Sequence, residues 1–140
     1  MRYENLTAAD LMTTNPVTVS ERDTIEHAEG QMHRLDIRHL PVVDDRGHLR
    51  GILSDRDIYK AVGTGKRMLG PVRDIMTPDV LTVAPTTLAR EATALMLDHK
   101  IGAIPVVDRA AHLVGMITET DFLRVAHELF GGALMSDDED

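Results

Sequence analysis

Short apolar runs alternate along the chain with stretches in which apolar residues recur every three or four positions, and the whole pattern occurs twice. After a turn at Asn15-Pro16, Val17 to Val19 reads as a short strand. From Asp23 onward Ile25, Ala28, Met32 and Leu35 follow helical spacing, with Asp23 or Thr24 as the cap. Leu40 to Val43 is a buried strand, Asp45-Arg46-Gly47-His48 has hairpin-turn chemistry, and Leu49 to Leu53 is the returning strand. A helix from Asp57 to Val62 closes the unit. The second pass predicts strands Leu81 to Val83, Ile104 to Val107 and Leu113 to Ile117, and helices Leu88 to His99 and Asp121 to Phe130. Gly131-Gly132 ends the last helix. The second hairpin turn, Arg109-Ala110-Ala111-His112, carries no glycine, so its geometry is less determined.

Residue by residue the two passes are copies. Asp10-Leu11-Met12-Thr13 returns as Asp74-Ile75-Met76-Thr77, and Pro41-Val42-Val43-Asp44 as Pro105-Val106-Val107-Asp108. Thr18-Val19 matches Thr82-Val83, Ala28 and Met32 match Ala92 and Met96, and His48-Leu49 matches His112-Leu113. Every pair keeps one offset of about 64 positions without a gap. Two copies are too few for a solenoid, so a closed pseudo-twofold pair is expected. The fold class is therefore α+β, two β-α-β-β-α repeats about a pseudo-twofold axis. The expected divisions are repeat 1 over 8–62, a flexible basic linker over 63–71, repeat 2 over 72–130 and a frayed acidic tail over 131–140.

Each copy ends in the same short stretch, Gly51-Ile52-Leu53-Ser54-Asp55-Arg56-Asp57 and Gly115-Met116-Ile117-Thr118-Glu119-Thr120-Asp121. The hydroxyl falls where a strand hands over to a helix. Two readings stand side by side. A helix start offers free N–H groups to a phosphate, and an ionised aspartate one turn in can accept both hydrogens of a ribose diol. The same spacing is also a helix cap, although the reciprocal cap favours the longer Glu or Gln where both copies carry Asp.

Composition narrows the function. No apolar run approaches the ~20 residues that span a bilayer, there is no signal-peptide pattern, and the expected location is cytoplasmic. The absence of cysteine excludes disulfides and thiolate metal sites. A net charge of −8 and only 3% aromatic residues argue against a nucleic-acid partner. Gly63-Thr64-Gly65-Lys66-Arg67 is not a phosphate loop, because Lys60 and Arg67 stand where Gly and Ser or Thr are required. No catalytic constellation and no metal-binding pair is present: His27 and His33 are six apart and do not share a helix face. The eight methionines read as core filler, and the expected chemistry is binding, not catalysis.

The paired openings, the Leu40-Pro41-Val42-Val43-Asp44 and Ile104-Pro105-Val106-Val107-Asp108 strands, and the Gly-x-x-Ser/Thr-x-x-Asp ends resemble CBS domains, named after cystathionine beta-synthase. Over roughly residues 8–130 the chain is similar to a stand-alone tandem pair, or Bateman module. The resemblance implies clefts between the copies that hold an adenine nucleotide or adenosine derivative. Asp57 and Asp121 would each grip a ribose, with Ser54 and Thr118 near the first phosphate. Val17, Ile37, Arg38 and His39 would line the Asp121 cleft; Val80, Ile101, Gly102 and Ala103 would line the Asp57 cleft. Arg38, His39 and Arg56 bring positive charge that Gly102, Ala103 and Thr120 lack, so the two clefts are expected to differ.

The expected role is a regulatory module sensing AMP, ADP, ATP or an adenosine derivative, with no other cofactor. It would act on an effector protein or through a homodimer joined by Phe122, Leu129 and Phe130. The alternative is a structural dimerisation module whose clefts are vestigial.

Overall fold

The computed structural model describes residues 3–65 and 68–132. The expected acidic tail, apart from its first two residues, and the Lys66-Arg67 pair of the linker lie outside them. A 3-10 turn at Tyr3–Asn5 precedes α1 (Ala8–Leu11), β1 (Thr13–Thr14), β2 (Val19–Ser20), α2 (Ile25–Leu35), β3 (His39–Val43), β4 (Leu49–Ser54) and α3 (Asp55–Gly63). After a second 3-10 turn at Val72–Asp74 come β5 (Thr77–Pro78), α4 (Ala89–His99), β6 (Ala103–Val107), β7 (Leu113–Thr118) and α5 (Glu119–Leu129). This is the α+β pair of similar repeats that the periodicity predicts.

Apolar spacing builds one core per repeat. Ile25, Ala28 and Met32 on α2 pack with Leu40, Val42, Leu53 and Ile58, while Ala92 and Met96 on α4 pack with Ile104, Val106 and Ile117. The matched methionines Met32 and Met96 fill these cores, and Thr24 caps α2 by accepting from the His27 amide at 3.0 Å. A third cluster, Ile52, Ala103 and Met116 with Val80 against it, joins residues of both repeats.

The repeats exchange their opening segments. One sheet runs β2-β3-β4-β5 and the other β1-β7-β6. Thus β1, from the start of the chain, pairs antiparallel with β7 of the second repeat, and β5 pairs antiparallel with β4 of the first. The stretch over 63–71 is not loose throughout: the Gly70 and Met68 carbonyls accept from the Ile25 and Glu26 amides at 2.9 and 2.8 Å. Val72 is fully buried in the first repeat's core. At the other end, Ala8 donates to the Thr87 carbonyl and Ala89 to the Leu6 carbonyl, both at 2.7 Å.

Several boundaries differ from expectation, each for a local reason. The strand expected at Leu81–Val83 shrinks to one bridge between Val83 and Val106. In the first repeat Glu21 adds a rung by donating to the Val43 carbonyl; its counterpart Pro85 has no N–H to give. The first strand begins at Val19, leaving Val17 exposed. Both closing helices start two residues early, at Asp55 and Glu119. The hairpin without a glycine keeps the shape of its partner: Ala111 holds φ 66° where Gly47 holds 82°. Phe122 packs on the second core, while Phe130 is 86% exposed.

Candidate functional site

Each Gly-x-x-Ser/Thr-x-x-Asp stretch spans a strand–helix junction against a strand from the other repeat. Gly51 and Ile52 pair with Pro78 and Thr77, and Met116 and Gly115 with Thr13 and Thr14. At Gly51 the crossing requires glycine, since a Cβ would stand 2.5 Å from the Thr77 carbonyl oxygen; at Gly115 it would stand 2.2 Å from Met12 Sδ, on a side chain that can repack. Val80, which follows β5, packs on Ile52 of the opposite repeat, while the matching Val17, after β1, is exposed.

The capping geometry is present at both junctions. Ser54 N donates to Asp57 Oδ2 at 2.9 Å and Asp57 N to Ser54 Oγ at 3.1 Å; Thr118 N donates to Asp121 Oδ2 at 2.8 Å. Asp thus closes a cap for which the longer Glu is the usual partner. The first amides of the helices are also engaged, Asp55 N by the Arg38 carbonyl at 3.0 Å and Glu119 N by the Gly102 carbonyl at 3.1 Å. A phosphate at either junction meets fewer free N–H groups than a bare helix start would offer. One oxygen of each aspartate, Oδ1, remains outside the cap.

Hairpin register sets each strand start beside the junction of its own repeat. His39 pairs with Ser54 and Ala103 with Thr118, so Arg38 and His39 adjoin the Asp57 motif of their own repeat, and Gly102 and Ala103 the Asp121 motif. The antiparallel hairpin dictates this, since it brings the start of one strand to the end of the next. Ile37 and Ile101 pack at the margins of their own cores. The extra positive charge, with exposed Arg56, falls on the Asp57 side.

His39 nevertheless reaches across the join. Its Cε1 lies 3.6 Å from the point where a Gly102 Cβ would stand, and Glu119 Oε1 lies 3.1 Å from the same point. Burial pushes the His39 imidazole below its ordinary value, against the pull of Asp55, Glu119 and Asp57, and Arg38 pushes the same way as burial. Asp55 and Glu119 occupy variable positions of the motif, and only the tertiary arrangement brings them to this histidine.

The two aspartates are not equivalent. Asp121 is 8% exposed and its Oδ1 faces Arg124 Nη1 at 3.4 Å; the matching position after Asp57 is the exposed Lys60. Asp121 and Arg124 also border a hollow of about 370 Å³ beneath the N-terminal segment, with Tyr3, Leu6, Asp10 and Glu128 among its walls. A larger hollow of about 740 Å³ lies elsewhere, on the outer edge of the second repeat between α4 and β6, lined by Ala84, Glu91, Leu95 and Asp98 among others. It contains none of the expected site residues. Among the described residues no group of three or more His, Asp and Glu is placed to hold a metal ion, and no helix is long and apolar enough to cross a membrane.

A swapped pair of junctions on a twofold repeat accords with comparison to known proteins, where the CBS domain model matches residues 8–64 and 72–128. The chain belongs to the CBS domain family. Among curated proteins it is 34% identical over 128 residues to the CBS domain-containing protein YhcV of Bacillus subtilis, covering 89% of this chain and 90% of that one. It is 42% identical to homoserine O-acetyltransferase of Methanocorpusculum labreanum over 81% of this chain, but spans only 23% of the length of that enzyme. A CBS-pair structure of an acetoin utilization protein (AcuB) from Vibrio cholerae superimposes with a TM-score of 0.85 at 38% identity, covering 91% and 96% of the two chains. The CBS domain pair of protein MJ0100, solved with 5′-methylthioadenosine and S-adenosyl-L-methionine, gives 0.80 at 30% identity, covering 86% and 98%. CBSX2 in complex with AMP gives 0.77 at 29% identity, covering 89% and 98%. Two of these neighbours were thus solved with adenosine-type ligands.

Proposed function

We propose that this protein is a regulatory module that binds an adenine nucleotide or related adenosine derivative at the junctions between its two CBS repeats. The observation that carries the reading is the strand exchange. A ligand held at Ser54–Asp57 lies beside β5 of the other repeat, and one held at Thr118–Asp121 beside β1. Asp57 and Asp121 use Oδ2 for the cap; Asp57 offers Oδ1 to a ribose hydroxyl, and Asp121 does so once its Oδ1 leaves Arg124. Ser54 and Thr118 stand near the first phosphate, and Arg38, His39 and Arg56 add charge at the Asp57 junction. Val80, Ala103 and Ile52 offer an apolar wall to the base. A ligand that touches both repeats favours the relative angle at which it fits better, and this shift is the signal.

The output passes to an effector protein in the cytoplasm or to a second copy of the chain. Tyr59 and Leu123, matched positions on α3 and α5, are 74% and 67% exposed, and with Leu129 and Phe130 they form the face for a homodimer. The same exposed face, together with aspartates that already close their own caps, favours the second reading, a dimerisation module with vestigial clefts.

Calorimetry and thermal shift with AMP, ADP, ATP and S-adenosylmethionine decide between them. A ligand at a hundredfold excess over its Kd adds about 2.7 kcal/mol of stability. Asp57→Ala and Asp121→Ala should each abolish the response at one junction. A panel without any shift, on a chain that dimerises normally, would establish the second reading.

A further inference from the structure

We infer that Glu119 acts as a built-in competitor for the anionic part of a ligand, placed over the bare backbone of Gly102 in the space that His39 of the opposite repeat also borders. The inference rests on the nucleotide reading above and concerns which adenosine compounds the junctions admit.

The geometry is asymmetric in a way that the repeat itself does not require. At matched positions the first repeat has Arg38, His39 and Asp55, and the second has Gly102, Ala103 and Glu119. Glu119 extends over the Gly102 backbone, with Oε1 3.1 Å and Cδ 3.5 Å from the site of the missing Cβ, and His39 Cε1 borders the same space at 3.6 Å. The shorter Asp55 donates its amide to the Arg38 carbonyl, as Glu119 does to that of Gly102. The half-buried imidazole is faced by Asp55, Asp57 and Arg38 from its own repeat and by Glu119 from the other.

A phosphate entering this space meets a carboxylate first. It must move Glu119 aside before it gains the imidazole and Arg38 as partners. An adenosine compound without phosphate meets no such opposition, because its ribose and base are held by Asp57 and the apolar wall. Glu119 therefore biases the module against multiply charged ligands, and ligand charge is read at the seam between repeats, where a displaced side chain can change their packing.

Two variants of the full chain, Glu119→Gln and Gly102→Ala, test this beside wild type, titrated calorimetrically with AMP and with adenosine at pH 7.5. Glu119 is solvent-exposed, so its neutral isostere leaves the fold intact. Glu119→Gln is expected to tighten AMP by about fivefold and to leave adenosine within about twofold, the scale of one exposed charge contact. Gly102→Ala, whose methyl pushes the carboxylate back, should move AMP in the same direction. In parallel, an NMR titration of the His39 ring should show its pKa lower in Glu119→Gln than in wild type. Equal AMP affinities, or a His39 titration indifferent to Glu119, would overturn the competitor role while leaving the nucleotide reading in place. A His39 pKa that shifts in a protein binding neither compound would remove the nucleotide reading, and the competition with it.

Discussion

The imidazoles of His48 and His112 stack across the seam between the repeats, with ring centroids 4.6 Å apart and planes inclined by 27°. The two residues are partners in an antiparallel bridge, flanked by hydrogen bonds from Leu49 N to the Ala111 carbonyl and from Leu113 N to the Gly47 carbonyl, each 3.3 Å. The hairpins thus meet at the pseudo-twofold axis through matched residues. Replacing either histidine by alanine should cost stability, and the double variant should cost less than the two single costs combined. A coupling of about 0.5 kcal/mol in a urea double-mutant cycle is expected; strict additivity would mean that the rings pack independently.

The carboxylates behind those histidines set an acid limit. Burial pushes the Asp44 carboxyl up, but the His48 and Arg46 amides and the nearby His48 and Arg50 charges outweigh it, and the net direction is downward. For Asp108 the His112 amide is the largest cause, and the direction is again downward. A carboxylate held below its unfolded value contributes stability above about pH 4 and loses it as pH falls through the folded value. Asp44→Ala and Asp108→Ala should therefore melt below wild type at pH 7, and the gap should narrow at pH 3.

His39 works in the opposite half of the acid range. Its folded pKa lies below the ordinary 6.5, so the unfolded chain binds a proton that the folded chain resists. Stability is complete above about pH 6.5 and declines as pH drops below it, until the folded imidazole also protonates. His39→Gln should flatten the melting temperature between pH 7 and pH 5, leaving only the contributions of other groups.

The second hairpin carries a correctable strain. Ala111 sits at φ 66°, in the left-handed region that costs a side chain roughly 1–2 kcal/mol. Ala111→Gly is expected to stabilise the protein by about 1 kcal/mol after the added flexibility of the unfolded chain is offset. Gly47→Ala should do the reverse. A urea midpoint that falls for Ala111→Gly would show that the turn relaxes differently.

The motif glycines should separate by what they face. A methyl on Gly51 strikes the backbone oxygen of Thr77 at 2.5 Å, which can move only if β5 moves. On Gly115 it strikes the Met12 side chain at 2.2 Å, and methionine can repack. Gly51→Ala is expected to cost about 3 kcal/mol and Gly115→Ala about half of that. Equal losses of denaturation midpoint would argue that both swapped strands shift.

Much of the architecture was legible because burial imposes periodicity. Ile25, Ala28 and Met32 and their partners declare a helix, and the Pro-Val-Val-Asp runs declare buried strands. The Thr13–Thr14 and Thr77–Pro78 strands were not legible: two polar or proline-bearing positions give no alternation, and their pairing is with residues far along the chain. The same holds for the lining of the junctions. Arg38 and His39 were legible as charge near a strand, but which aspartate they serve depends on hairpin register, and Asp55 and Glu119 carry no local sign of facing His39.

The linear order of residues was sufficient to establish a duplicated α+β unit, its apolar cores and the two hydroxyl–aspartate junctions, since each follows from spacing within a few turns or rungs. The folded arrangement alone decided that the repeats trade their opening strands and that Glu119 and His39, from different repeats, border the same space over Gly102. Those relationships join residues separated by most of a repeat or more. They depend on how two twisted sheets settle against each other, a property of packed surfaces that no short window of sequence contains.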